Sequence, residues 1–109
     1  MAKFEKALYG DFNTILRQIE NGVINGSASA TLEDSSDYVA PDARCSVRVF
    51  ERYSYMGGNR VSMSVTLFQA GNGPVQICAI TSGGSQAMFW KINTIGEERF
   101  LRTLEELFQ

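Results

Sequence analysis

Residues 44–82 carry three stretches in which apolar and polar residues alternate. Val47, Val49 and Tyr53 alternate with Arg44, Arg48 and Arg52, and Val61, Met63, Val65 and Leu67 alternate with Arg60, Ser62, Ser64 and Thr66. Val75, Ile77 and Ala79 alternate with Gln76, Cys78 and Ile80. Side chains on a strand point to opposite faces in turn, so the pattern predicts an antiparallel meander with one apolar face. A three-residue loop of Met56, Gly57 and Gly58 sets Val49 opposite Val65 and Val47 opposite Leu67, matching the apolar faces. The second turn, Gly71-Asn72-Gly73, sets Leu67 opposite Ile77 and Val65 opposite Ala79.

Helical spacing flanks this meander. Phe12, Ile15, Leu16, Ile19 and Val23 form one stripe over residues 11–24, with Asp11 as N-cap and Asn21-Gly22 or Asn25-Gly26 as the stop. Phe100, Leu101, Leu104, Leu107 and Phe108 form another, and Thr94-Ile95-Gly96-Glu97 reads as its capping box. Residues 2–9 are ambiguous between helix and strand. Residues 27–33 read as an edge strand and 34–37 as a turn, with a mobile loop over 27–42 as the alternative, and 87–93 as a strand covered on both sides. The order predicts one α+β domain over 1–109: a two-layer antiparallel meander sheet of four or five strands, with both helices on its Val47/Val49/Val65/Leu67 face.

The length of 109 residues fits one such domain. The net charge of −2 argues against non-specific nucleic-acid binding, and no apolar run approaches membrane-spanning length. The N-terminus lacks a signal-peptide core. The predicted register puts Cys45 and Cys78 on opposite faces, which predicts free thiols and a cytoplasmic location.

Candidate chemistry is sparse. The chain has no histidine, which removes His-based triads and the commonest zinc ligand; neither cysteine belongs to a C-x-x-C pair. No cofactor or metal is expected. Ser82, Gly83, Gly84, Ser85 and Gln86 can form an anion nest or a plain turn. The face opposite the helices is expected to gather Arg44, Arg48, Arg52 and Arg60 with Ser62, Ser64, Thr66, Ser82, Phe50, Phe68 and Ile80. It admits plain surface, a homodimer interface or a small anionic ligand held by Arg52 or Arg60. Arginines beside aromatics also suit single-stranded RNA, but the strand order and glycine-aromatic signature of an RNA-recognition fold are missing. Glu51 falls on the predicted apolar face opposite Met63. It is either a perturbed carboxylate able to act as acid or base, or a strand-end group paired with Arg60 or Arg52.

In combination, Glu51-Arg52-Tyr53-Ser54, Gly57-Gly58-Asn59-Arg60, the segment from Ile80-Thr81 through Gln86, Lys91-Ile92-Asn93-Thr94 and Gly96-Glu97-Glu98 form a larger motif. With the Gly10-Asp11-Phe12 helix start, this resembles a family of small bacterial proteins known only as a domain of unknown function. The resemblance implies a compact domain in a bacterial cytosol and supplies no activity or catalytic residue. The expectation is a non-enzymatic domain that self-associates or binds a partner through the open sheet face. An anion-binding protein and, last, an enzyme using Glu51 are the alternatives.

Overall fold

The structure, a computed structural model, describes residues 1–54, 59–83 and 90–109. Five strands and two helices follow in the order β1 (Ala2–Leu8), α1 (Phe12–Gly26), β2 (Thr31–Ala40), β3 (Ala43–Ser54), β4 (Asn59–Ala70), β5 (Val75–Gly83) and α2 (Trp90–Glu105), with a final 3-10 turn at Glu106–Phe108. The strands form one antiparallel sheet in the order β1-β5-β4-β3-β2. This is the expected two-layer α+β class.

Both helices pack on one face of the sheet. α1 starts where predicted: the Asp11 carboxylate accepts from the Thr14 amide at 2.9 Å, satisfying one of the helix's orphan donors. Its stripe of Phe12, Ile15, Leu16, Ile19 and Val23 is buried, as are Phe100, Leu101 and Leu104 of α2. Opposite them lie Val61, Met63, Val65 and Leu67 of β4 and Val75, Ile77 and Ala79 of β5. Each of these side chains larger than alanine contributes roughly 1.5–3 kcal/mol on burial. Phe4 and Leu8 resolve the ambiguity of the first segment, since they flank the core from β1 at strand spacing.

The β4–β5 register is the one expected, with Leu67 opposite Ile77 and Val65 opposite Ala79. The β3–β4 register is not. Arg48 faces Val65, Phe50 faces Met63 and Ser46 faces Leu67, one residue from the predicted alignment. A one-residue slip reverses every side chain on a strand. Phe50, Arg48 and Ser46 are therefore buried under the helices, while Val47 and Val49 lie on the outer face. The connecting residues 55–58 lie outside the described residues.

Two other segments differ from expectation. Residues 34–37 continue β2 rather than turning, because Asp37 pairs with Ser46 and its carboxylate accepts from the Ser46 hydroxyl at 2.6 Å. Trp90, Lys91, Ile92 and Asn93 belong to α2 rather than to a strand, so Thr94 lies inside the helix and cannot be its cap. Residues 87–89, the rest of that predicted strand, lie outside the described residues.

Candidate functional site

Among the described residues, no helix lies over the outer face of the sheet. Alternation from the buried positions places Cys45, Val47, Val49, Glu51 and Tyr53 of β3 there, with Arg60, Ser62, Ser64, Thr66 and Phe68 of β4. Gln76, Cys78, Ile80 and Ser82 of β5 continue it. Phe68 and Ile80 each keep 40% of their surface exposed, high for large apolar residues on a sheet. Phe68 stands as a ridge between two hollows. One, of about 230 Å3, is lined by Tyr38, Ala43 and Cys45; the other, of about 430 Å3, by Glu5, Ala7, Thr66, Gln76 and Cys78.

Of the residues expected on this face, Arg60, Phe68 and Ser82 are there and Arg44, Arg48, Arg52 and Phe50 are not. The latter four point toward the helices because of the β3 register. Burial of the arginines is tolerable because each guanidinium finds partners there. Arg44 stacks on Phe12, 4.3 Å from its ring centre, and donates to Asn13 Oδ1 at 2.9 Å. Arg48, only 7% exposed, donates from Nε to Glu20 Oε2 at 2.8 Å and approaches Asp37 Oδ1 at 3.0 Å. Arg52 stacks on Phe100 at 4.9 Å and donates to Ser27 Oγ at 3.3 Å.

The anion-binding cluster is thereby divided. Arg52 and Arg60 lie on opposite faces of the sheet. Gly83 spends its N–H on the Glu97 carboxylate at 2.7 Å, while Gly84, Ser85 and Gln86 lie outside the described residues. Glu51 sits opposite Ser62 rather than Met63, accepts from its hydroxyl at 3.2 Å and pairs with Arg60 Nε at 3.0 Å. Arg60 also reaches Glu33 at 3.6 Å and lies over Tyr53. The arrangement is a half-exposed charged rim at one end of the face, the second of the two expectations for Glu51.

The cysteines share the outer face, contrary to the predicted register, and are still free. Cys45 is on β3 and Cys78 on β5, so β4 separates them by about 10 Å, beyond disulfide reach. Among the described residues no group of three or more His, Cys, Asp or Glu is placed to hold a metal ion, and no helix is long and apolar enough to cross a membrane.

Glu97 does not serve the predicted capping box, since Thr94 lies within α2. It is instead buried, with Oε2 2.8 Å from the Met1 amine and Oε1 on the Gly83 amide, so it ties α2 to the ends of β1 and β5. Its burial has no signature in a T-x-x-E pattern, which is also that of a surface cap.

Electrostatics reflect these ties. Burial acts to lower the Arg48 pKa, but hydrogen bonds to Glu20 and Asp37 outweigh it and raise the value. Arg52 is lowered, first by burial and then by the nearby Arg99 charge. The Ser46 hydroxyl and then Arg48 hold Asp37 below the ordinary carboxylate range, and the Thr14 amide and hydroxyl do the same for Asp11. A depressed carboxylate pKa stabilises the fold above the unfolded value, near pH 4, and that contribution is lost as pH falls through the folded value. Asp37→Asn is therefore expected to flatten the pH dependence of the urea midpoint below about pH 4. Equal slopes for variant and wild type would contradict this.

Fold and site together define a two-layer α+β domain whose sheet is covered on one side by both helices and, among the described residues, open on the other. The chain belongs to a family of unknown function, DUF6054, which it matches over residues 1–109, as its motifs implied. No curated protein matches it.

Proposed function

We propose that the protein is a non-enzymatic homodimerising domain of the bacterial cytosol, with two copies joined through their outer sheet faces. The observation that carries this reading is an uncovered face bearing Val47, Val49, Phe68 and Ile80, with its charges at the margins. Lys3 and Glu5 lie on the β1 side, and the Glu51–Arg60 pair lies at one end. An apolar centre inside a polar rim is the usual anatomy of an interface. Five strands spaced about 4.8 Å apart and about ten residues long present about 800 Å2, close to the contribution of one partner to a standard interface. The Phe68 ridge beside hollows on the same surface suits a contact that is its own complement, as two-fold symmetry requires. Two free thiols support a reducing compartment.

Sedimentation equilibrium tests the reading. Wild type is expected to associate through this face at micromolar concentration, and Phe68→Asp to weaken that step by about 100-fold, the loss typical of a central aromatic anchor. Thermal stability of the monomer should change little, since Phe68 lies outside the core. Cys45 and Cys78 provide a probe without mutation: their alkylation should slow as protein concentration rises. A wild type that stays monomeric at millimolar concentration, with concentration-independent alkylation, would overturn the proposal.

A further inference from the structure

β2 is a strand without a core. All ten of its residues are exposed, and it ends the sheet, so one flank pairs with β3 and, among the described residues, the other has no strand beside it. That flank is about 33 Å of backbone donors and acceptors. Proteins ordinarily blunt such an edge with charges and bulges. The first half of β2 follows this rule, with Glu33 and Asp34 and a break in register between Leu32 and Asp34. The second half does not. From Ser35 to Ala40 the pairing with β3 is regular, and Tyr38 and Val39 are 65% and 80% exposed, one on each face. The single carboxylate in this half, Asp37, is held by Ser46 and Arg48.

We propose that this edge pairs antiparallel with the same edge of a second copy, about a two-fold axis at Tyr38, making a continuous ten-stranded sheet. An axis normal to the sheet keeps both helix layers on one side, so only residues of the same face can lie opposite each other. An axis at Asp37 places that carboxylate against its own copy, a destabilising like-charge pair. At Ser36 it carries Val39 against Glu33, at the bulge. At Val39 it brings Asp37 against Pro41, which has no N–H to give. At Tyr38 the two rings are directly opposed, Asp37 meets Val39 and Ser36 meets Ala40. Over the ladder of residues 36–40 no like charges face each other, and the pairing stops short of both the bulge and Pro41. The backbone edge is distinct from the outer face and meets it at Tyr38, whose side chain also lines the hollow beside Phe68.

Cross-linking tests the register. In a Cys45→Ser/Cys78→Ser background, Tyr38→Cys places two thiols across a directly opposed pair. Its Cα separation is about 4.5–5.5 Å, within disulfide reach. Val39→Cys is equally exposed, but its two copies lie about 8 Å apart along the offset strands, which a disulfide cannot span. With oxidised glutathione, Tyr38→Cys should form the covalent dimer at least ten times faster than Val39→Cys. Adding Phe68→Asp should leave that ratio unchanged. In the unsubstituted chain, amides 36–40 should exchange more slowly as concentration rises. Equal cross-linking at both positions, none at either, loss of the cross-link with Phe68→Asp, or concentration-independent exchange would each overturn the proposal.

Discussion

Glu20→Gln and Asp37→Asn together are expected to cost about 3 kcal/mol of stability, the penalty of a buried charge left without its counter-charge. Either change alone should cost about 1 kcal/mol. Both carboxylates bond Arg48, and each is partly exposed, so the remaining one still neutralises the guanidinium after a single change. Only the double variant strands the charge, making the effects more than additive. Arg48→Met should stay within about 1 kcal/mol of wild type, because an apolar chain fills the space and both carboxylates can turn to water. Urea unfolding of wild type and the four variants measures these differences. Strict additivity, or a larger loss in Arg48→Met than in the double variant, would show that the charge itself is not what matters.

Glu97→Ala should destabilise by about 2–3 kcal/mol, the range for a lost hydrogen bond to a charged acceptor. The Gly83 amide loses its acceptor, and the Met1 amine loses its counter-ion. The amine is largely exposed and can be hydrated, so most of the cost falls on Gly83. Glu97→Gln keeps a carbonyl oxygen for that amide and should recover about half of the loss. Thermal melts measure the totals, and hydrogen exchange at Gly83 locates them. Unchanged protection of that amide in Glu97→Ala would count against this role.

Much of the fold was legible because burial and periodicity agreed. The stripe of α1, the Asp11 cap, the β4–β5 register and the covered face of β4 all follow from apolar residues at the spacing of one element. β3 misled because both of its faces are mixed. Val47 and Val49 resemble a core face, yet the buried set is Ser46, Arg48 and Phe50. A long aliphatic stem under a neutralised guanidinium packs as an apolar residue does, and hydropathy alone cannot register the neutralising partners. The continuation of β2 beyond Glu33 was missed for a related reason: Asp34-Ser35-Ser36-Asp37 has turn composition, and pairing with β3 decides its conformation. The open face was legible as a surface, but its β3 residues were assigned to the wrong side by the same slip.

The three inward arginines of β3 have a consequence for alignment. Arg44, Arg48 and Arg52 recur every four strand residues, and their hydrogen-bond partners Asn13, Glu20 and Ser27 recur every seven along α1 and its C-cap. Four strand residues span about 13 Å and seven helical ones about 10.5 Å, a mismatch small enough for long side chains to absorb. The two scales run alongside each other like the marks of a vernier. Apolar alternation is blind to a two-residue slide, which returns every side chain to its own face. The arginine marks are not, because a slide of about 7 Å would pull all three from their partners at once. The core holds the layers together, and the charges fix where along each other they stop.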